Sequence, residues 1–176
     1  QDGTSYHPLP KPILMKMLKN LIIRKGVRED LPAILELIRE LALFEKAPEQ
    51  VTNTLSAMEK DGFGDHPVFS FHVAVLEVKV VGMALYFVKY STWKGKGLYL
   101  DDLMVTEAHR GKGIGTALFD AYLKEAVAMG AKQAHWQVLD WNEPAIRMYR
   151  KMNADIDASW LDCKLTEAQI MNHVKL

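Results

Sequence analysis

Residues 109–118 read HRGKGIGTAL, and three glycines in five positions, Gly111, Gly113 and Gly115, separate a strand-like run from a helix-like run. Upstream lies GLYLDDLMV (97–105), rich in apolar and aromatic residues; downstream, IGTALFDAYLKEAVAMG (114–130) carries apolar residues at helical intervals. A strand-to-helix turn this bare of side chains aims several backbone N–H groups at one point, at the positive end of the helix dipole. Such a turn suits an anion, most often a phosphate. Two familiar nucleotide turns do not fit. The spacing is G-x-G-x-G rather than the dinucleotide G-x-G-x-x-G, and no Gly-Lys-Ser/Thr closes it as in a P-loop.

Working outward, LIIRKG (21–26) reads as a short strand and EDLPAILELIRELALFEK (29–46) as a helix, with Asp30 as its cap and Pro32 in its first turn. Its apolar stripe runs through Leu31, Ile34, Leu35, Ile38, Leu41 and Ala42. TNTLSAMEKDGF (52–63) is expected to be a shorter helix capped by Thr52. FSFHVAVLEV and VVGMALYFVKYS are β-rich and meet around residues 77–80, which predicts an antiparallel hairpin. Beyond the glycine turn the order is helix (113–129), strand QAHWQVLD, helix NEPAIRMYRKMN and a last β-capable piece, WLDCKL. A meander followed by this alternation predicts an α/β or α+β domain with a mixed central sheet flanked by helices.

Composition limits the function classes. With 49% hydrophobic and 25% charged residues over 176 positions, the chain can bury a full core, and a single domain over 15–176 is the expectation. The polar, proline-rich residues 1–14 read as a disordered leader or tag remnant. Twenty-two basic residues balance 22 acidic ones, so nothing favours nucleic acid or a membrane surface as partner. Cys163 stands alone, which excludes an internal disulfide framework and points to a reducing, cytoplasmic setting. No His, Cys or Asp cluster has metal-ligand spacing, and no metal is expected. No apolar run approaches the roughly 20 residues that span a bilayer.

RGKGIG resembles the Arg/Gln-x-x-Gly-x-Gly/Ala pyrophosphate motif of the GNAT superfamily of N-acetyltransferases. FEKAPEQV, DGFGDHP, YSTWKGK, LYLDDLMV, HRGKGIG and LDWNEPAIRMY follow one another in an order similar to its spermidine/spermine (diamine) and thialysine acetyltransferase branch. The resemblance covers roughly residues 22–165. It implies the acyl-coenzyme A N-acyltransferase fold and acetyl-coenzyme A as cofactor. The pyrophosphate would be met by Arg110, Gly111, Lys112, Gly113, Ile114, Gly115 and Thr116, and the pantetheine arm by the main chain of Leu103, Met104 and Val105, where a backbone N–H polarises the thioester carbonyl. Asn142, Glu143, Pro144 and Ala145 would add cofactor contacts. Asn142 and Tyr149 are seven residues apart, hence near one helical face and roughly 10 Å apart. The resemblance makes Tyr149 the general acid that protonates the departing thiolate, a role a phenol can fill.

The acceptor amine arrives as a cation and must be neutral to attack, so carboxylates are expected around it. The branch's acceptor positions match Phe44, Glu45, Trp93, Asp101, Asp102 and His135. Glu45 is the weaker candidate for the route by which the amine's proton leaves. Adjacent strand residues point to opposite faces, so Asp101 and Asp102 can share one pocket only if the strand bulges, as the acetyltransferase fold does. ADIDASW (154–160) is shorter than the branch's acidic stretch and offers only Asp157, and Asp101 stands where the polyamine enzymes carry glutamate. A short diamine or a lysine analogue is therefore as well matched as spermidine. A homodimer is implied, with Trp160 and Leu161 as candidate contacts. Two other functions fit less well: peptide or protein lysine acetylation, and a non-catalytic acyl-coenzyme A sensor.

Overall fold

The computed structural model describes residues 20–174; the expected leader lies outside them. The chain divides into two compact units, one ending at Gln137 and the other beginning at Val138. The first unit contains a five-stranded sheet in the order β1 (Leu21–Lys25), β2 (Ser70–Leu76), β3 (Lys79–Ser91), β4 (Gly95–Val105), β5 (Gln133–Trp136). The first four are antiparallel neighbours and β5 runs parallel to β4, giving the mixed sheet the element order predicts. The hairpin between β2 and β3 turns at Glu77, whose φ is 59°.

Helices cover both faces of the sheet. α1 (Leu31–Phe44) and α2 (Leu55–Phe63) lie on one face, where Leu31, Ile34, Leu35, Leu37 and Met58 pack with Phe71, Val73, Met83, Leu85 and Met104. Leu37 joins the buried stripe that the spacing assigned, while Ile38 and Leu41 sit at its margin. Each such side chain contributes about 1.5–3 kcal/mol by leaving water. α3 (Ile114–Ala128) crosses the opposite face, where the Tyr122 hydroxyl donates to the Leu98 carbonyl at 2.6 Å and its ring meets Tyr86.

Two caps differ from expectation. Asp30 occupies the N-cap position of α1, but its carboxylate turns back to accept from the Val27 N–H at 2.9 Å and from both Arg24 terminal nitrogens at 2.7 and 2.8 Å. A charged partner is the stronger competitor for a carboxylate. α2 is capped by Thr54, which accepts from the Ala57 N–H at 3.2 Å, and not by Thr52. Thr52 is two residues too early to reach the first turn.

The second unit holds α4 (Glu143–Lys151) and α5 (Glu167–Val174). QAHWQVLD forms a strand only as far as Trp136, and WLDCKL forms none; it is exposed and has no regular secondary structure. β propensity without a partner strand does not make a ladder. Helix α5 escaped prediction although TEAQ carries its start signal. The Gln169 side-chain oxygen accepts from the Thr166 N–H at 2.8 Å, and Thr166 Oγ1 accepts from the Gln169 N–H at 3.3 Å, a reciprocal capping box.

Candidate active site

β4 changes partners midway. Leu85 pairs with Asp102 and Tyr86 with Leu100, so Asp101 is an extra residue without a counterpart on β3. β5 pairs with β4 only from Gly97 to Leu100. Past the bulge, β4 therefore has a strand on one side alone among the described residues. The Thr106 N–H donates to the Val81 carbonyl at 2.9 Å. In an antiparallel ladder the hydrogen-bonded pairs alternate, so Asp102 and Met104 also bond toward β3 while the main-chain groups of Leu103 and Val105 face the uncovered edge. The Val105 carbonyl is taken there by Arg110 Nε at 2.9 Å.

The bulge sits beside three carboxylates. Asp102 shares the face of Met104, the face that packs under α1, and Glu45 directly follows the end of that helix. Burial pushes the Asp102 carboxyl up, and the negative charges of Asp101 and Glu45 push it further, to about 7. Asp101 and Glu45 are more open to solvent, and partial burial raises each of them as well. A carboxyl at about 7 is half ionised at neutral pH and can take up a proton there.

Beyond Val105 the chain makes one short turn at Glu107–His109 and then the glycine run. Gly111 and Gly113 have φ of 71° and 82°, a left-handed backbone that glycine adopts without strain. The first intrahelical bond of α3 runs from the Ala117 N–H to the Gly113 carbonyl at 3.0 Å. The N–H groups of Ile114, Gly115 and Thr116 thus precede the helical ladder and point out of its N-terminus. Among the described residues, a Cβ placed on Gly113 would meet no atom within 4 Å, so there is room beside that residue. The Lys112 ammonium folds back onto the Ala108 carbonyl at 2.6 Å.

Arg110 is held on the α1 side of this turn. Its guanidinium lies 4.8 Å over the Phe44 ring and 3.8 Å from Glu40, which also accepts from the Glu107 N–H at 2.9 Å. Glu40 is a brace for the turn that pattern reading misses, because nothing in its spacing marks a glutamate that will face a loop 67 residues later. His135 lies in β5 opposite Tyr99 rather than among the carboxylates. Its Nδ1 is 2.6 Å from Lys89 Nζ, and burial followed by the Lys89 charge holds its pKa below the usual histidine value. Trp93 is 85% exposed at the tip of the β3–β4 hairpin, about 20 Å of strand away from Asp101.

In the second unit, Asn142 caps α4 by accepting from the Ala145 N–H at 3.4 Å, with Glu143 and Pro144 in the first turn. Tyr149 is buried on this helix, and burial pushes its hydroxyl up to about 12. Asp157 bonds locally to the Ser159 N–H at 2.8 Å. Among the described residues no group of three His, Cys, Asp or Glu side chains is arranged to hold a metal ion, and no helix is long and apolar enough to cross a membrane.

The profile of the acetyltransferase (GNAT) family matches residues 31–154. The chain is 36% identical over 166 residues to the thialysine N-epsilon-acetyltransferase of Bos taurus, covering 88% of this chain and 96% of that one. It is 39% identical over 142 residues to the Mus musculus protein of the same name, covering 75% and 82%. An aminoglycoside acetyltransferase from an uncultured soil metagenomic sample, solved with trehalose, superposes with a TM-score of 0.71 at 22% identity, over 84% of this chain and 98% of that one, and so shares the fold.

Proposed function

The chain belongs to the acetyltransferase (GNAT) family, and from that premise we propose that it transfers an acetyl group from acetyl-coenzyme A to a primary amine of a small cationic acceptor. One observation carries the acceptor chemistry: Asp102, with its carboxyl pushed up to about 7, stands on the same strand as the uncovered edge of Leu103 and Val105. An alkylammonium releases its proton near 10.4, so passing it to an ordinary aspartate near 3.9 is uphill by about 9 kcal/mol. Against a carboxyl at about 7 the same transfer costs about 5 kcal/mol. Asp102 thereby displaces Glu45 as the proton acceptor, and Glu45 and Asp101 supply the charge that raises it and attracts the incoming cation.

Acetyl-coenzyme A supplies an acyl group already activated as a thioester. The open N-terminus of α3 fits its pyrophosphate, with the N–H groups from Gly111 to Thr116 as donors and Gly113 keeping the approach clear of a side chain. The N–H and C=O of Leu103 and the N–H of Val105 suit an amide-bearing arm added as a further strand. Tyr149 holds, at its hydroxyl, the proton destined for the departing sulfur; burial keeps that proton in place at neutral pH. Asn142, Glu143, Pro144 and Ala145 begin the helix that fixes the tyrosine.

A homodimer in the cytoplasm completes the proposal. Trp160 and Leu161, 77% and 87% exposed, give a second copy apolar surface to cover, and the exposed thiol of Cys163 fits a reducing compartment. Light scattering tests the assembly, with a monomeric mass removing it. The activity is tested by incubating the protein with acetyl-coenzyme A and a panel of amines, following released thiol and the mass of each acceptor. One added acetyl on a primary amine is expected, and thiol release that no amine accelerates would overturn the assignment.

A further inference from the structure

Burial holds α1 to the sheet only as far as Ala42. Leu43, Phe44, Glu45 and Lys46 are all exposed, Leu43 at 64%. This end is fastened by polar contacts from the turn that precedes α3. The Arg110 guanidinium lies 4.8 Å over the Phe44 ring, its Nη2 is 3.8 Å from Glu40 Oε1, and its Nε donates to the Val105 carbonyl at 2.9 Å. The same Glu40 oxygen accepts from the Glu107 N–H at 2.9 Å. Glu40 and Phe44 are one turn apart on α1, hence on one face, and a planar guanidinium can meet a ring, a carboxylate and a carbonyl at once. One side chain therefore joins the end of α1 to the edge of β4.

Glu45 is carried by that end. Its N–H donates to the Leu41 carbonyl at 2.9 Å and the Ala47 N–H returns to the Ala42 carbonyl at 2.9 Å, so its backbone moves with the helix. Its charge acts on Asp102 at the bulge. A shift of the α1 end would thus take Glu45 away from Asp102. We propose that Arg110 is a positioning residue for the acceptor site and not a ligand of the cofactor's phosphates: bridged to Glu40 and Phe44, it sets the end of α1, and with it Glu45, against the β4 edge. A guanidinium engaged with a carboxylate, a ring and a carbonyl must give up those contacts to reach a phosphate. The N–H groups of Ile114 and Gly115 precede the helical ladder and are aimed there by the backbone itself. This rests on the amine-acetylating function and on the glycine turn taking the pyrophosphate.

A phosphate ligand and a positioning residue fail differently when removed. The parent, Arg110→Gln, Glu40→Gln and the double variant are compared by calorimetry with coenzyme A and by steady-state kinetics with 1,5-diaminopentane, or with the panel amine acetylated fastest if that diamine is not a substrate. Arg110→Gln should raise the amine KM by about tenfold, lower kcat by less, and leave coenzyme A affinity within about twofold of the parent. Glu40→Gln keeps an acceptor for the Glu107 N–H while losing the charge that faces Arg110. It should raise the same KM by a smaller factor, and the double variant should add nothing to Arg110→Gln. Glu40→Gln also carries the test if Arg110→Gln does not fold. Coenzyme A affinity weakened about tenfold or more in Arg110→Gln, with the amine KM unmoved, would overturn the proposal and return Arg110 to the phosphates. Fully multiplicative KM effects in the double variant would overturn the bridge. A parent that acetylates no amine would instead remove the function on which the inference rests.

Discussion

Gly113 and Gly130 stand at opposite ends of α3, both in the left-handed region at φ 82° and 65°, and at neither would a Cβ meet an atom of the described residues within 4 Å. One opens the helix at the proposed pyrophosphate site; the other closes it, where the Ala131 N–H reaches back to the Ala126 carbonyl at 2.9 Å. Their backbone requirement is the same and only their neighbourhood differs.

The pair therefore makes a controlled test. Gly113→Ala and Gly130→Ala should each cost about 1 kcal/mol in stability through left-handed strain. Only Gly113→Ala should weaken coenzyme A binding by calorimetry, by about tenfold or more. Equal affinity in both variants would detach the turn from the cofactor.

Asp102→Asn should lower kcat/KM by about 10² to 10⁴, the usual contribution of a general base. In the parent, activity should rise with pH through about 7 as Asp102 ionises. Asp101→Asn removes a neighbouring negative charge, so the midpoint should move to lower pH. A profile unmoved by Asp101→Asn would mean that another group sets it.

The same carboxyl carries a stability cost. Its folded pKa lies above the unfolded value near 3.9, so its stabilising contribution is complete below that value and is lost as pH rises through about 7. Asp102→Asn should thus be more stable than the parent at pH 8, by about 1 kcal/mol once solvent screening is allowed for. Denaturant titrations at pH 3.5, 5 and 8 should show a gain that is absent at the lowest pH and grows to its full size by the highest.

Tyr149→Phe should cut turnover by about 10² to 10⁴ with cofactor affinity nearly unchanged. Because burial holds the Tyr149 proton to about 12, kcat should show no decline near pH 10, where an ordinary phenol would ionise. Single-turnover rates across pH 7 to 10.5 read this directly, and a fall centred at 10 would contradict it.

Asp30 anchors the start of α1 from the opposite direction. The Arg24 guanidinium beside it holds its carboxyl below the usual aspartate value, so its contribution is present above about 3.9 and lost as pH falls through the lower folded value. Asp30→Ala should destabilise the protein by about 2 kcal/mol at pH 7, leaving Arg24 and the Val27 N–H without their shared acceptor. Melting curves from pH 7 downward should show the gap between parent and variant narrowing only as pH falls below about 3.9.

Much of the molecule was legible along the chain because its signals are local. Hydrophobic periodicity marks α1, α3 and the hairpin; the glycine run marks the turn from β4 into α3; Asn142 and Pro144 mark the start of α4. Each depends on residues within a few positions of one another. The tertiary structure alone decided what required distant partners. Asp101 became the bulge residue because β3 pairs past it, and the Asp102 carboxyl was pushed up to about 7 because burial and the charges of Asp101 and Glu45 act on it together. Arg24 took Asp30 from its cap, Glu40 reached Glu107 and Arg110, and Lys89 met His135 across three strands. Charge, burial and strand register act through space, and a linear pattern records only which residues are available to them.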